Sequence, residues 1–319
     1  MSTLTVAETA ALLRTFDNIL ILTHVRPDGD TVGSAAALCR GLRQLGKRAF
    51  VLPNPEATAL FTPYFEGLLS PEGFAPDTVV SVDIAARSLF PKNAEPYVER
   101  VDLAIDHHPS QEFFARETCL DSGRAACGEL MYDILRELGP LSAEMGEALY
   151  VAVSTDCGCF VYSNTTPGTH RVAAALMETG FDAFPVNRRF FRTKSFKRLK
   201  LEGMLTEGME LRDGGSTALV FLTIAMVDAL QATEEDMDDI SAFVGQIEGV
   251  RTGATLKETR DGNVKISLRT DPADLNASAV CALLGGGGHA AASGAMLRGV
   301  TMAQARQALV DAMEKVRHG

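Results

Sequence analysis

The chain of 319 residues carries 30 basic and 41 acidic side chains, a net charge of −11 with neutral histidines. That balance argues against a protein that coats nucleic acid through bulk electrostatics, although it leaves room for a local basic groove. No apolar run reaches the roughly eighteen residues of a membrane span, and Met1–Ala11 lacks a basic start and a signal-like apolar core, so a cytoplasmic chain with no membrane partner is expected.

The length predicts two domains. The six cysteines (Cys39, Cys119, Cys127, Cys157, Cys159, Cys281) show no small-scaffold spacing, which suits free thiols in a reducing compartment. In chain order, Thr5–Thr15 has the pattern of a short amphipathic helix, and Asn18–His24 that of a strand buried on both faces. A turn at "RPDGD" leads into helical periodicity over Thr31–Leu45, ended by Gly46. "RAFVLP", Thr78–Ile84 and Val101–Asp106 give further strands, and helices follow over Gly128–Leu138 and Ser142–Thr155. Strands separated by helical stretches imply right-handed crossovers and an open, mainly parallel, doubly wound α/β sheet.

After Phe181 the character changes. Arg188–Lys200, "RRFFRTKSFKRLK", has seven basic residues, no acid and three phenylalanines, the pattern of a linker helix or of a groove wall that attracts phosphates and stacks bases. A smaller mixed α/β unit follows, with strands at "STALVFLT", "RTGATLKE" and "NVKISLRT", a helix at Asp236–Ile247 and a closing helix at Met302–Val316. The organisation expected is a first domain over 1–187, a basic linker helix over 188–205 and a second domain over 206–319, with the active site in the cleft between the domains.

Ligands of open α/β sheets gather beyond the carboxyl ends of the strands. Three strands here end in His24, Asp83 and the run Asp106-His107-His108; Asp28 and Asp30 follow His24 in a turn, and Asp156 ends a helix. Carboxylates and imidazoles in that number cannot pack closely while bare, because like charges repel and some would have to protonate. Two divalent cations resolve the conflict, with Asp83 able to lie between them. Nitrogen and carboxylate ligands without thiolate suit Mn²⁺ first, with Mg²⁺ or Co²⁺ as alternatives. A two-metal centre clamps the attacking and leaving oxygens of an in-line displacement at phosphorus, so the reaction expected is phosphoester hydrolysis. His108, not needed for coordination, can donate a proton or hydrogen bond to a phosphoryl oxygen, and Asp106, pointing the other way, orients a ligand. In the second unit Gly285, Gly286, Gly287 and Gly288 remove every Cβ so that backbone N–H groups can wrap an anion. His289 and the start of a following helix add a polar handle, and Arg269 can pair with a phosphate.

"THVRPDGDTVGS" (Thr23–Ser34), "VSVDIA" (Val80–Ala85), "AIDHHPS" (Ala104–Ser110) and "VSTDCGCF" (Val153–Phe160) resemble the four motifs of the DHH phosphoesterase superfamily. "GGGGHAAASGA" (Gly285–Ala295) resembles the signature of its DHHA1 domain, and the chain length points to the compact NrnA-like branch. The resemblance implies hydrolysis of short oligoribonucleotides and of 3′-phosphoadenosine 5′-phosphate, and a homodimer. It implies one Mn²⁺ on His24, Asp28 and Asp83 and another on Asp30, Asp83, His107 and Asp156, with His108 on the scissile phosphate. Arg269, Gly285–Gly288 and His289 would hold the substrate's nucleotide or terminal phosphate. Cys157 stands where relatives commonly carry Thr. The alternatives are a soluble phosphodiesterase for cyclic di-AMP or its linear product, and a non-catalytic nucleotide sensor.

Overall fold

The computed structural model describes residues 3–237 and 240–318. It divides into two compact units, Met1–Thr193 and Lys194–Gly319.

The first unit opens with α1 (Val6–Thr15), capped by the Thr5 hydroxyl and the Glu8 carboxylate in a reciprocal pair. Its sheet is wholly parallel, in the order β2-β1-β3-β4-β5, formed by β1 (Ile19–Leu22), β2 (Ala49–Val51), β3 (Thr78–Val82), β4 (Leu103–Asp106) and β5 (Glu117–Leu120). β1, β3 and β4 are buried along their whole lengths, which is why their sequences run apolar without alternation. One face packs on α2 (Gly29–Gln44), α3 (Cys127–Leu138), α4 (Ala143–Asp156) and α5 (Pro167–Met177), which contribute Leu38, Leu42, Met131, Leu149 and Leu176 to the larger core. The other face packs Leu20, Leu22, Val79 and Ala104 against Phe90, Ala94 and Phe114. There the winding is done by 3-10 turns at Arg87–Leu89 and Lys92–Arg100 rather than by α-helices, since Pro91 and Pro96 interrupt the segment.

The strand order reverses between β1 and β3, which makes the carboxyl ends of those two strands the crevice where a ligand fits such a sheet. Two glycines bring α2 close to α4 beneath that point. A Cβ on Gly33 would meet the Ala148 carbonyl oxygen at 2.1 Å, and one on Gly29 would meet Thr155 Oγ1 at 2.2 Å.

The basic stretch is not one linker helix. After α6 (Ala183–Asn187), Arg188–Arg192 forms a π-helical turn in the first unit, and α7 (Phe196–Glu207), capped by Ser195, belongs to the second. Phe190 packs near Phe61 and Tyr64, with ring centroids 5.8 and 6.3 Å away, and Lys194 and Arg198 both pair with Glu202. Much of the stretch is thus committed to packing and ion pairing within the chain, and the groove-wall reading loses its phenylalanine at 190 and two of its cations.

The second unit has a six-stranded mixed sheet in the order β10-β11-β9-β8-β7-β6. Its strands are β6 (Glu210–Arg212), β7 (Thr217–Leu222), β8 (Thr252–Glu258), β9 (Val264–Thr270), β10 (Gly287–Gly288) and β11 (Ala292–Leu297). Helices α8 (Ile224–Leu230), α9 (Ala277–Leu283) and α10 (Met302–His318) complete it, with Leu256, Ile266, Val280 and Leu309 at the core. The helix expected over Asp236–Ile247 is instead 3-10 at Glu235–Met237 and Ile240–Gln246; residues 238 and 239 lie outside the described residues. Among the described residues no helix is long and apolar enough to cross a membrane.

Candidate metal centre

The site grows from the carboxyl ends of β1, β3 and β4 and from three helix termini. Asp28 is the N-cap of α2, and its Oδ1 accepts hydrogen bonds from the N–H groups of Asp30 and Thr31 at 3.0 and 3.2 Å. Asp30 is buried and does the same for α3, whose own N-cap, Ala126, has no side chain to offer. Its Oδ2 accepts from Cys127 N at 2.6 Å and its Oδ1 from Gly128 N at 2.8 Å. Thr31 Oγ1 donates to the Val82 carbonyl at 2.8 Å, fastening α2 to the end of β3.

Asp83, the next residue, is only 3 % exposed and has left-handed backbone geometry, φ +61°. A non-glycine residue pays strain there, and the turn redirects the chain at the strand end so that the carboxylate stands over the crevice. Its backbone N–H stays bonded to the Ile105 carbonyl at 2.9 Å.

Each imidazole is fixed by a partner on one nitrogen. His24 Nδ1 lies 2.9 Å from the Val25 carbonyl, and His107 Nδ1 lies 3.2 Å from the Arg124 carbonyl, so both are N–H donors at Nδ1, and in the neutral ring Nε2 carries the lone pair. His24 Nε2 is 3.5 Å from Asp28 Oδ1 and 3.8 Å from Asp83 Oδ2. His107 Nε2 is 3.5 Å from Asp83 Oδ1, 3.6 Å from Asp30 Oδ2 and 3.7 Å from Asp156 Oδ2. The triads His24-Asp28-Asp83, Asp30-His107-Asp156 and Asp83-His107-His108 each bring one ligand atom per residue within 4.8 Å of the others. The predicted ligands therefore converge, with Asp83 common to two groups.

His108 is different. Its Nδ1 donates to Asp106 Oδ1 at 2.7 Å. Asp106 is fully buried, and its Oδ2 accepts from Gln111 Nε2 at 2.6 Å. The expectation that Asp106 orients a ligand is refined: the side chain it holds is His108, and Gln111, which carried no sequence signal, in turn holds Asp106.

The electrostatics fit a cation-binding cluster. Burial pushes Asp30 and Asp83 well above the usual carboxylate range, and neighbouring carboxylates push them further. Burial, then Asp28, raises Asp156 to about 7. Burial and then His108 lower His107, while the hydrogen bond to Asp106 raises His108 against burial. His107 is thus biased toward the neutral form and His108 toward the protonated one. The buried Asp83 Oδ1 has no hydrogen-bond partner among the described residues. An ionised oxygen abandoned in the interior is costly, and coordination to a divalent cation removes the penalty. The Asp/His cluster can hold metal.

In the second unit the glycine run is a hairpin rather than an open anion cradle. The N–H groups of Gly285 and Gly286 bond back to Ala282 and Cys281 at the end of α9, and His289 N bonds to the Ala292 carbonyl. Gly287 and Gly288 pair with Gly294 and Ser293, and the next element is the strand β11, not a helix start. The glycines are needed for close approach: a Cβ on Gly286 would meet Gly294 O at 2.1 Å, and Gly288 has φ +143°. Arg269 stands opposite Ala292 in the register, with Nη2 3.4 Å from Ser241 Oγ, so Arg269 and the exposed His289 belong to one end of that sheet.

Residues 18–153 match the model of the DHH family N-terminal domain, and residues 220–318 that of the DHHA1 domain. A bifunctional oligoribonuclease and PAP phosphatase NrnA from Thermus thermophilus is 32% identical over 301 residues, spanning 93% of this chain and 89% of that protein. The protein of the same name from Bacillus subtilis is 26% identical over 295 residues, 90% of this chain and 92% of that one. The crystal structure of an exopolyphosphatase-related protein from Bacteroides fragilis is 25% identical, with a TM-score of 0.86 over 98% of this chain and 96% of that chain. The chain belongs to the DHH family, a DHH domain followed by a DHHA1 domain.

Proposed function

We propose that the chain is a cytoplasmic, manganese-dependent phosphoesterase that hydrolyses short oligoribonucleotides and 3′-phosphoadenosine 5′-phosphate to mononucleotides. The observation that carries the reading is Asp83, a buried carboxylate with an unpartnered oxygen, flanked by the freed Nε2 atoms of His24 and His107. The names of the relatives from Thermus thermophilus and Bacillus subtilis support the substrate class.

Two divalent ions, when bound, supply charge neutralisation at phosphorus and a water acidic enough to attack at neutral pH. His24, Asp28 and Asp83 would hold one, and Asp30, Asp83, His107 and Asp156 the other. Asp83 would be shared between them, and the α2 and α3 N-termini already fix the carboxylates of Asp28 and Asp30. The bond formed is between the oxygen of the attacking water and phosphorus; the bond broken is between phosphorus and the leaving ribose oxygen, the proton the water gives up passing to solvent and the leaving oxygen taking one from it. His108, charged through Asp106, donates from Nε2 to a non-bridging phosphoryl oxygen as negative charge gathers there. Arg269 and His289 bind the nucleotide or its terminal phosphate by their side chains, with Gly285–Gly288 shaping the hairpin that carries His289.

The test is a Mn²⁺-supplemented hydrolysis panel of 3′-phosphoadenosine 5′-phosphate, the dinucleotide pApA, RNA of increasing length, cyclic di-AMP and pyrophosphate. Turnover of the first two, falling steeply beyond a few nucleotides, is expected. Equal rates on a dinucleotide and a twenty-mer, or turnover of pyrophosphate alone, would refute the reading.

A further inference from the structure

Glu129 belongs to none of the predicted roles, yet it follows directly on Cys127 and Gly128, whose N–H groups hold the Asp30 carboxylate. It lies in the first turn of α3, is 2 % exposed, and its Oε1 has no hydrogen-bond partner among the described residues. A glutamate in the first turn of a helix ordinarily caps N–H groups or faces water. Here the capping is already done from outside the helix, because Asp30 takes the N–H groups of Cys127 and Gly128. Gly128 sets the depth: a Cβ there would lie 2.6 Å from Ala152 Cβ and 3.3 Å from Val153 N, so the first turn of α3 is pressed against the last turn of α4, which ends in Asp156. Glu129 lies within electrostatic reach of Asp156. A carboxylate oxygen held dry, unpaired and next to other acids is destabilising unless a donor that the polypeptide does not supply reaches it.

We propose that Glu129 is a positioning residue of the metal centre, accepting through Oε1 a hydrogen bond from a water in the coordination shell of the ion assigned to Asp30, His107 and Asp156. The inference rests on the metal-centre reading above. It makes Glu129 an outer partner whose removal weakens metal binding without touching a ligand, an effect typically about 10- to 100-fold for such partners.

The experiment is calorimetric titration of the purified, chelator-stripped protein with Mn²⁺, together with melting temperatures with and without Mn²⁺, for the wild type, Glu129→Gln and Glu129→Ala. The expected result is at least a tenfold loss of affinity for one of two ions in Glu129→Gln and a smaller Mn²⁺-induced rise in melting temperature, with Glu129→Ala weaker still. Wild-type affinity and an undiminished Mn²⁺-induced rise in Glu129→Gln overturn the proposal, as does a drop in melting temperature of equal size with and without Mn²⁺, which marks a packing role. If Glu129→Ala does not fold, the isosteric Glu129→Gln decides alone. A wild type that binds no Mn²⁺ overturns the metal-centre reading itself, so the two failures are told apart.

Discussion

The buried Asp106 carboxylate holds the partly exposed imidazole of His108, Oδ1 to Nδ1 at 2.7 Å, beside the centre, while the adjacent His107 turns its own Nδ1 to a backbone carbonyl. Two consecutive histidines thus receive opposite protonation tendencies: an anion raises His108, and burial lowers His107. Asp106→Asn keeps the shape and removes the charge. It is expected to lower kcat by at least about 100-fold, the range for loss of a positioned acid, while leaving Mn²⁺ affinity within about threefold of wild type. Steady-state kinetics at saturating Mn²⁺ beside a metal titration check both halves; a parallel collapse of metal binding would place Asp106 among the ligands.

In the proposed two-ion centre Asp83 would hold both ions. Asp83→Asn retains a residue type that tolerates the left-handed conformation at φ +61° and relieves the repulsion from Asp30 and Asp28. The metal-free variant is expected to melt no lower than the wild type, to lose the Mn²⁺-induced rise and to retain less than about a thousandth of the activity. Differential scanning calorimetry with and without Mn²⁺ reads the first two expectations. Near-normal turnover would end the two-ion assignment.

His289 and Arg269 are expected to act on binding. His289→Ala should raise KM for 3′-phosphoadenosine 5′-phosphate about tenfold with kcat changed less than about threefold, the signature of lost uniform binding. A fall in kcat with KM unchanged would contradict this division of labour.

Gly33 tests the platform beneath the site. Because an added Cβ would meet the Ala148 backbone carbonyl at 2.1 Å, Gly33→Ala must separate α2 from α4 and should cost about 1–3 kcal/mol. Gly29→Ala meets the Thr155 side chain, which can rotate away, and should cost less. Urea denaturation of both variants, metal-free, gives the comparison.

Glu210, in the second unit, gives a pH prediction that involves no residue of the Asp/His cluster. Arg306 donates to both its oxygens, with Nε at 2.6 Å, and this pairing, joined by Arg212, holds the Glu210 carboxyl below its usual value. A folded pKa below the unfolded one contributes stability that is present above the unfolded value of about 4.3 and lost as pH falls through the folded value. Glu210→Gln should therefore cost under about 1 kcal/mol at pH 7, for a partly exposed pair, and the difference from wild type should shrink below about pH 4. A difference that is constant from pH 7 to pH 3 would count against this ion pair.

The convergence of the Asp and His side chains was legible in the sequence because strand-end position is written in apolar runs: His24, Asp83 and Asp106–His108 each follow one, and Asp28 and Asp30 follow a turn. The supporting residues were not. Glu129 sits in an amphipathic helix where an acid in the first turn ordinarily reads as solvent-facing, and Gln111 lies in a loop whose sequence shows no period. The left-handed turn at Asp83 is not marked by residue type, because aspartate tolerates that conformation but is common outside it. The glycine run misled because small residues are equally consistent with an anion loop and with a hairpin, and the strand after it, "ASGAML", lacks the β-branched side chains that mark a strand. The basic stretch misled in a similar way, since composition does not tell that Glu202 lies within reach of Lys194 and Arg198.

The most direct measurement is anomalous diffraction at the manganese edge from crystals grown with Mn²⁺ and without chelator. Two peaks about 3.5–4 Å apart are expected, one on each side of the Asp83 carboxylate, with His24 and His107 on opposite ions. No peak within reach of Asp83, or a single ion that leaves either His24 or His107 unligated, would contradict the account at its centre.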